Sequence, residues 1–127
     1  MELDTARYFN LATFRRDGRA VETPVWFATE GATHYVFSAG NVGKVKRIRN
    51  SSRARVAPCD VRGKLEGAWR DAKARLVTDP GEIARAYVVL RRKYGFSMLL
   101  LDLMAKIGGR YDKRAMIAVD LVHGSAS

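Results

Sequence analysis

An α+β fold built on a mainly antiparallel β-barrel is what this sequence predicts, and three observations carry that expectation. Short segments rich in β-branched and aromatic residues follow one another from Tyr8 to Val77, separated by turn signals. Most of those separations are too short for the crossovers that parallel strands need. Helical periodicity is confined to a short basic segment near residue 45 and to two stretches after residue 79. The predicted order is strand, strand, strand, short helix, strand, strand, helix pair, strand, with no repeat, linker or low-complexity segment. The chain reads as a single domain over residues 1–127.

The first strand is Tyr8 to Phe14, and Asp17-Gly18 is a strong hairpin signal leading into Ala20 to Ala28. In that second strand Val21, Thr23, Val25 and Phe27 face one way and Glu22, Pro24 and Trp26 the other. Pro24 cannot donate to a ladder, so the strand is expected to be open or bulged there and to expose backbone groups to a ligand. Glu30-Gly31 marks the next turn, and His34 to Ser38 the third strand.

The stretch from Ser38 to Arg49 is the organising feature: a strand ends in glycine and at once becomes a basic helix. Gly40 supplies backbone freedom, Asn41 can cap the helix, and its free N–H groups and dipole favour an anion, to which Lys44 adds a full charge. Val42, Val45 and Ile48 form a narrow buried stripe, leaving Lys44 and Arg47 on another face for a ligand. A solvated amphipathic helix is the competing reading of this segment alone. A nucleotide P-loop is excluded, because Ser38 and Val45 stand where that motif requires glycine and Ser or Thr.

Beyond the helix, Ala54 to Cys59 is a strand, Asp60 to Gly63 a turn, and Leu65 to Val77 a long strand bent near Gly67. Asp79, Pro80 and Glu82 read as a capping box opening a helix whose Ile83, Tyr87, Leu90 and Tyr94 share a face, and Gly95 ends it. Ser97 can cap a second helix running to Ile107, apolar around almost its whole circumference, which implies burial against a partner as well as the monomer. Met116 to Val122 is the last strand and His123 to Ser127 a frayed tail.

The chain has 127 residues, with 23 Lys and Arg against 13 Asp and Glu, a formal charge of +10 that points to an anionic partner. Nucleic acid, a membrane surface and a polyanionic small molecule all qualify. Membrane insertion is not expected, since the apolar run after Met98 is broken by Asp102 and Lys106. Nucleic acid is disfavoured because Trp26, Trp69 and the tyrosines are not interleaved with the basic run. The lone Cys59 and the absence of a secretory pattern at the N-terminus fit a reducing cytoplasm. Cys59, His34 and His123 lack metal-ligand spacing, so no metal is expected; Cys59 reads as a core filler, and no nucleophile elbow or catalytic carboxylate pair is evident. If the protein is an enzyme, a cofactor carries the chemistry, and no catalytic residue is assigned.

Thr23-Pro24-Val25-Trp26-Phe27, Tyr35 to Gly40, Gly43 to Asn50 and Arg55 to Asp60 together resemble the pyridoxamine-phosphate-oxidase-like split-barrel superfamily of FMN-binding type. More narrowly they resemble the actinobacterial deazaflavin (coenzyme F-420)-dependent reductases of the B group. The resemblance covers nearly the whole chain. It implies a homodimeric oxidoreductase acting on a small-molecule substrate, with cofactor sites shared between subunits. It also implies that Thr23, Pro24, Val25 and Trp26 line the cofactor ring, with Ser38 and Ala39 at the strand end. Lys44 and Lys46 would hold the cofactor phosphate, and Arg49, Arg53 and Arg55 would lie near it. F-420 is the cofactor implied and FMN the alternative. Relatives that oxidise pyridoxamine phosphate carry Arg before the first lysine and Asn-Pro after the helix. Gly43 and Ser51-Ser52 stand there instead, which argues against vitamin-B6 oxidation. The six basic and no acidic residues from Lys44 to Arg55 complement a deazaflavin bearing a phosphodiester and a polyglutamate tail better than a flavin mononucleotide.

Overall fold

Six antiparallel strands close into a barrel in the order β1-β2-β3-β6-β5-β4. The structure, a computed structural model, describes residues 6–39, 42–95 and 114–122. Its elements are β1 (Tyr8–Phe14), β2 (Ala20–Glu30), β3 (Thr33–Ala39), α1 (Val42–Asn50), β4 (Arg53–Cys59), β5 (Arg70–Leu76), α2 (Pro80–Tyr94) and β6 (Arg114–Leu121). The expected α+β, mainly antiparallel barrel with short helices is what forms. The expected helix from Ser97 to Ile107 and the tail from His123 lie outside the described residues.

Alternation along the strands divides the apolar residues between two cores. Phe9, Leu11, Val25, Phe27, Val36, Ala54, Val56, Ala72, Ala74, Ile117 and Val119 point inward, and Ile48 of α1 joins them. Phe9 and Phe27 stack there with ring centroids 4.2 Å apart. Each fully buried Phe, Leu or Ile contributes about 1.5–3 kcal/mol by removal from water. The opposite faces of β2, β3 and β6 carry Ala28, Tyr35, Phe37, Met116 and Ala118, which α2 covers with Ala86, Leu90 and Tyr94.

Helix α2 begins as its sequence indicates, with the Asp79 side chain accepting from the Glu82 N–H at 2.8 Å. The capping box is only half made, however. Glu82 does not reach back to the cap; its carboxylate accepts two bonds from Arg75 (2.9 and 2.6 Å) and one from the Tyr35 hydroxyl (2.8 Å). A charged, bidentate partner outcompetes a single backbone N–H. The helix start is thereby fastened to β5 and β3.

A second departure concerns the strand expected over Leu65 to Val77. Only Arg70–Leu76 forms β5, and Leu65 makes an isolated bridge to Cys59. The Asp60 carboxylate accepts from the backbone N–H groups of Arg62 and Lys64 at 2.9 Å each, and Asn10 donates to the Gly63 carbonyl at 2.7 Å, so the segment is spent on a pinned loop. Gly63 has φ +90°, a conformation that favours glycine, and a Cβ there would also crowd the Asn10 side chain, with Oδ1 at 3.3 Å.

Strand β2 is the point at which the barrel is split. Along β1 it pairs from Ala20 to Trp26, but β3 takes up its other edge only from Phe27 to Glu30. Among the described residues no strand covers the β3-side edge of Ala20 to Trp26. That opening coincides with Pro24, as the sequence predicts.

Candidate functional site

The open edge of β2 brings Thr23, Pro24, Val25 and Trp26 together, but on two faces. Val25 belongs to the inner core and Thr23 faces Leu11 of β1 across the sheet, whereas Trp26 packs with the outer cluster. What the four residues share is therefore a backbone edge that no described strand covers, rather than one side-chain surface. Thr23 Oγ1 is buried and has no hydrogen-bond partner among the described residues. An orphaned buried hydroxyl is costly, about 1–3 kcal/mol, unless something outside the protein satisfies it. Trp26 is half-buried and stacks on Tyr94 of α2, with centroids 4.6 Å apart and planes at 29°.

Helix α1 packs against β1 and β5, and it presents a different face from the one expected. Lys44 is only 5% exposed, as is Ile48 one turn later, while Val45 is half-buried and Lys46 exposed. The buried stripe thus runs through Lys44 and Ile48, and the reading of Lys44 as a freely exposed cation is corrected. A short helix closing a barrel turns whichever face its end position dictates, and the long lysine stem supplies apolar surface for that packing. Val42, Asn41 and Gly40 fall outside the described side chains. Burial, with a smaller contribution from the Arg47 charge, lowers the Lys44 ammonium to about 8. Arg47 is half-buried and its Nε donates to Thr13 Oγ1 at 2.7 Å, tying α1 to β1.

Lys46, exposed, shares with Arg47 a cleft of about 340 Å³ lined by Phe14, Arg15, Arg16, Gly43, Lys46, Arg47 and Asn50. Arg49 is exposed on the last turn of α1. Arg55 is engaged elsewhere: its Nε lies 3.3 Å from Asp71 Oδ1 and its guanidinium 5.6 Å from the Trp69 ring centre. That contact is an ion pair by distance, and Arg55 Nε has no hydrogen-bond partner among the described residues. Arg53 covers the Phe14 ring at 4.0 Å. Ser38 and Ala39 end β3, with backbone register to Ala115 and Arg114 of β6.

Sequence reasoning missed Arg15, Arg16 and Thr13. The signal was available in part, since Arg15-Arg16 immediately precede the Asp17-Gly18 turn. His34, within the expected third strand, is buried against Phe9 and Phe27 and bonded to Thr29 through Nδ1 at 2.6 Å. Cys59 is buried and its thiol pushed up to about 11 by burial, which suits a core filler rather than a nucleophile. No group of three His, Cys, Asp or Glu able to hold a metal occurs among the described residues, and no described helix is long and apolar enough to cross a membrane.

No family model and no curated protein matches the sequence. Solved structures do match. The haem storage protein HutZ of Vibrio cholerae superimposes with a TM-score of 0.70 at 11% identity, over 94% of this chain and 84% of that one. A candidate pyridoxamine 5'-phosphate oxidase of Listeria innocua gives 0.63 at 15% identity, over 92% and 85%. An F-420 reductase gives 0.57 at 17% identity, over 95% and 90%. At these identities the likeness is one of fold: this chain shares its barrel fold with these three structures.

Proposed function

We propose that the protein is an oxidoreductase that binds coenzyme F-420 and passes a hydride from its reduced form to an organic acceptor. The observation that carries the reading is the Thr23 hydroxyl, without a hydrogen-bond partner among the described residues, on the stretch of β2 whose β3-side edge no described strand covers; a flat heteroaromatic ring seated there would find backbone groups and a hydrogen-bond donor. The buried Lys44 fits the phosphate end, because an anion beside it offsets the desolvation that now lowers its pKa. The likeness in fold to an F-420 reductase supports the same assignment.

In this reading the deazaflavin supplies the hydride, and the chain supplies alignment and exclusion of water. The edge from Thr23 to Trp26 orients the ring, Lys44 and Lys46 fix the phosphate, and Arg49 and Arg55 shape the surrounding field. Ser38 and Ala39 would border the same site from the end of β3. The described residues offer no side chain in the role of acid or base. A homodimer with the site shared between subunits, in a cytoplasmic setting, belongs to the same proposal. FMN is the alternative cofactor, since the same edge and lysine would accept its ring and phosphate.

Among the described residues haem finds a poorer fit, since His34 is buried and engaged with Thr29, and Cys59 is buried with its thiol pushed up to about 11. The test is isotopic. Deuteride-labelled reduced F-420, given a competent acceptor, should deliver its label to product, and label appearing in solvent instead would contradict direct transfer.

A further inference from the structure

Tyr8 and Trp26 are the end pair of the β1–β2 ladder, and Phe27, the next residue, is the first that β2 pairs with β3, opposite Val36. The strand changes partner between Trp26 and Phe27. At that point the Tyr94 hydroxyl, from the last turn of α2, bridges two segments of backbone. It accepts from the Phe27 N–H at 2.8 Å, and its proton faces the Phe27 carbonyl at 2.6 Å and the carbonyl of Arg7, at the entry to β1, at 2.5 Å. Burial pushes this hydroxyl up to about 12, which keeps the proton on it at neutral pH.

The same side chain supports the Trp26 indole. The Tyr94 ring stacks on Trp26 with centroids 4.6 Å apart and planes at 29°, and Tyr8, the cross-strand partner, meets the indole at 6.3 Å and 58°. Two aromatic neighbours restrict the angles the indole can take. Beside Tyr94, Lys93 Nζ donates to the Ala6 carbonyl at 2.8 Å and lies 3.5 Å from the Phe27 ring centre, so this turn of α2 has further anchors on the barrel. Tyr94 is 5% exposed, whereas Trp26 is only half-buried. The arrangement is a rigid support beneath a side chain that keeps accessible surface.

Packing of α2 onto the barrel needs the Tyr94 ring alone. The hydroxyl does something more local, because it holds the backbone of the residue next to Trp26 and so fixes the strand on which the indole is mounted.

We propose that Tyr94 is a positioning residue of the candidate site: its hydroxyl fixes the β2 backbone at Phe27 and its ring fixes the Trp26 indole, which together set the angle at which the cofactor ring is held. This rests on the F-420 reading above, in which Trp26 borders that ring. Tyr94 acts through Trp26 and not on the reacting atoms.

The experiment compares three full-length proteins, native, Tyr94→Phe and Glu82→Gln, the last loosening α2 at its opposite end. Each is titrated with F-420 by fluorescence and then, at saturation, read for the induced circular dichroism and the fluorescence anisotropy of the bound deazaflavin. In Tyr94→Phe the dissociation constant should change by about twofold or less, since the phosphate end is untouched, while the induced signal and the anisotropy fall. Glu82→Gln should keep the native signature. F-420 bound by folded Tyr94→Phe with the native signature would overturn the positioning role and leave the F-420 reading intact, as would the same fall in Glu82→Gln, which would make it a matter of helix docking. Failure of F-420 to bind the native protein would overturn both readings together. Should Tyr94→Phe not fold, hydrogen exchange on the native protein decides: F-420 should slow the Phe27 amide more than the amides of the β4–β5 ladder, and uniform slowing, or none, would overturn the proposal.

Discussion

Trp26 lies against Tyr94, ring on ring, and the Tyr94 hydroxyl in turn grips the backbone of the residue next to Trp26. The N–H of Phe27 donates to that hydroxyl at 2.8 Å, and the Phe27 carbonyl stands 2.6 Å away on the accepting side. The last turn of α2 therefore closes the β2 ladder just where β3 begins to pair with it, and the split begins one residue before. Tyr94→Phe should leave a buried N–H unsatisfied and cost about 1–3 kcal/mol. Urea unfolding checks it; an unchanged midpoint would remove Tyr94 from the account of the split.

Trp26→Ala follows from the same contact but reads out differently. It removes an aromatic stack and half-buried surface, so stability should fall by about 1–3 kcal/mol. In the folded fraction, turnover should fall more than cofactor affinity, because alignment of the ring matters more in the transition state than in the bound ground state. Equal losses in kcat and in cofactor affinity would place Trp26 outside ring alignment.

Lys44 sets stability against function. Its folded value of about 8 lies below the ordinary 10.5, so the folded protein disfavours the ammonium. The unfolded chain binds more protons between those values, and stability should therefore rise as pH climbs from about 8 to about 10.5. At pH 7 Lys44→Met should stabilise the ligand-free protein by about 1–3 kcal/mol while weakening cofactor binding by about 1.5–3 kcal/mol. A variant that is less stable and binds normally would contradict both statements.

Glu82 carries the acid limb. Bonds from Arg75 and Tyr35 lower its carboxyl to about 2, so its contribution is complete above about 4.5 and is lost as pH falls through about 2. Glu82→Gln should cost about 1 kcal/mol at pH 7, discounted for an ion pair whose arginine is half exposed, and the difference should shrink on acidification. Thermal melts from pH 7 to pH 2 measure it, and a pH-independent difference would mean that packing, not charge, is what Glu82 supplies.

How far the sequence could be read follows from which interactions are local. The Asp17-Gly18 turn, the Pro24 opening and the Asp79 cap are decided within a few residues, and each formed where expected. The orientation of α1 is decided by how a nine-residue helix sits across a barrel, so no periodicity in Val42, Val45 and Ile48 could reveal that Lys44 faces inward. Glu82 likewise satisfied a local capping pattern, but its partners lie in β3 and β5. The cationic cleft joins residues 14–16 to residues 43–50, a proximity that only the Arg47–Thr13 contact makes visible.

The most direct test of the central claim is titration of the purified protein with coenzyme F-420 and, in parallel, with FMN, following cofactor fluorescence. The account predicts saturable binding of F-420, tighter than FMN, with Thr23→Val weakening F-420 through the lost hydroxyl contact while the fold persists. No saturable binding of either cofactor to the folded protein, or haem binding where F-420 does not bind, would contradict it.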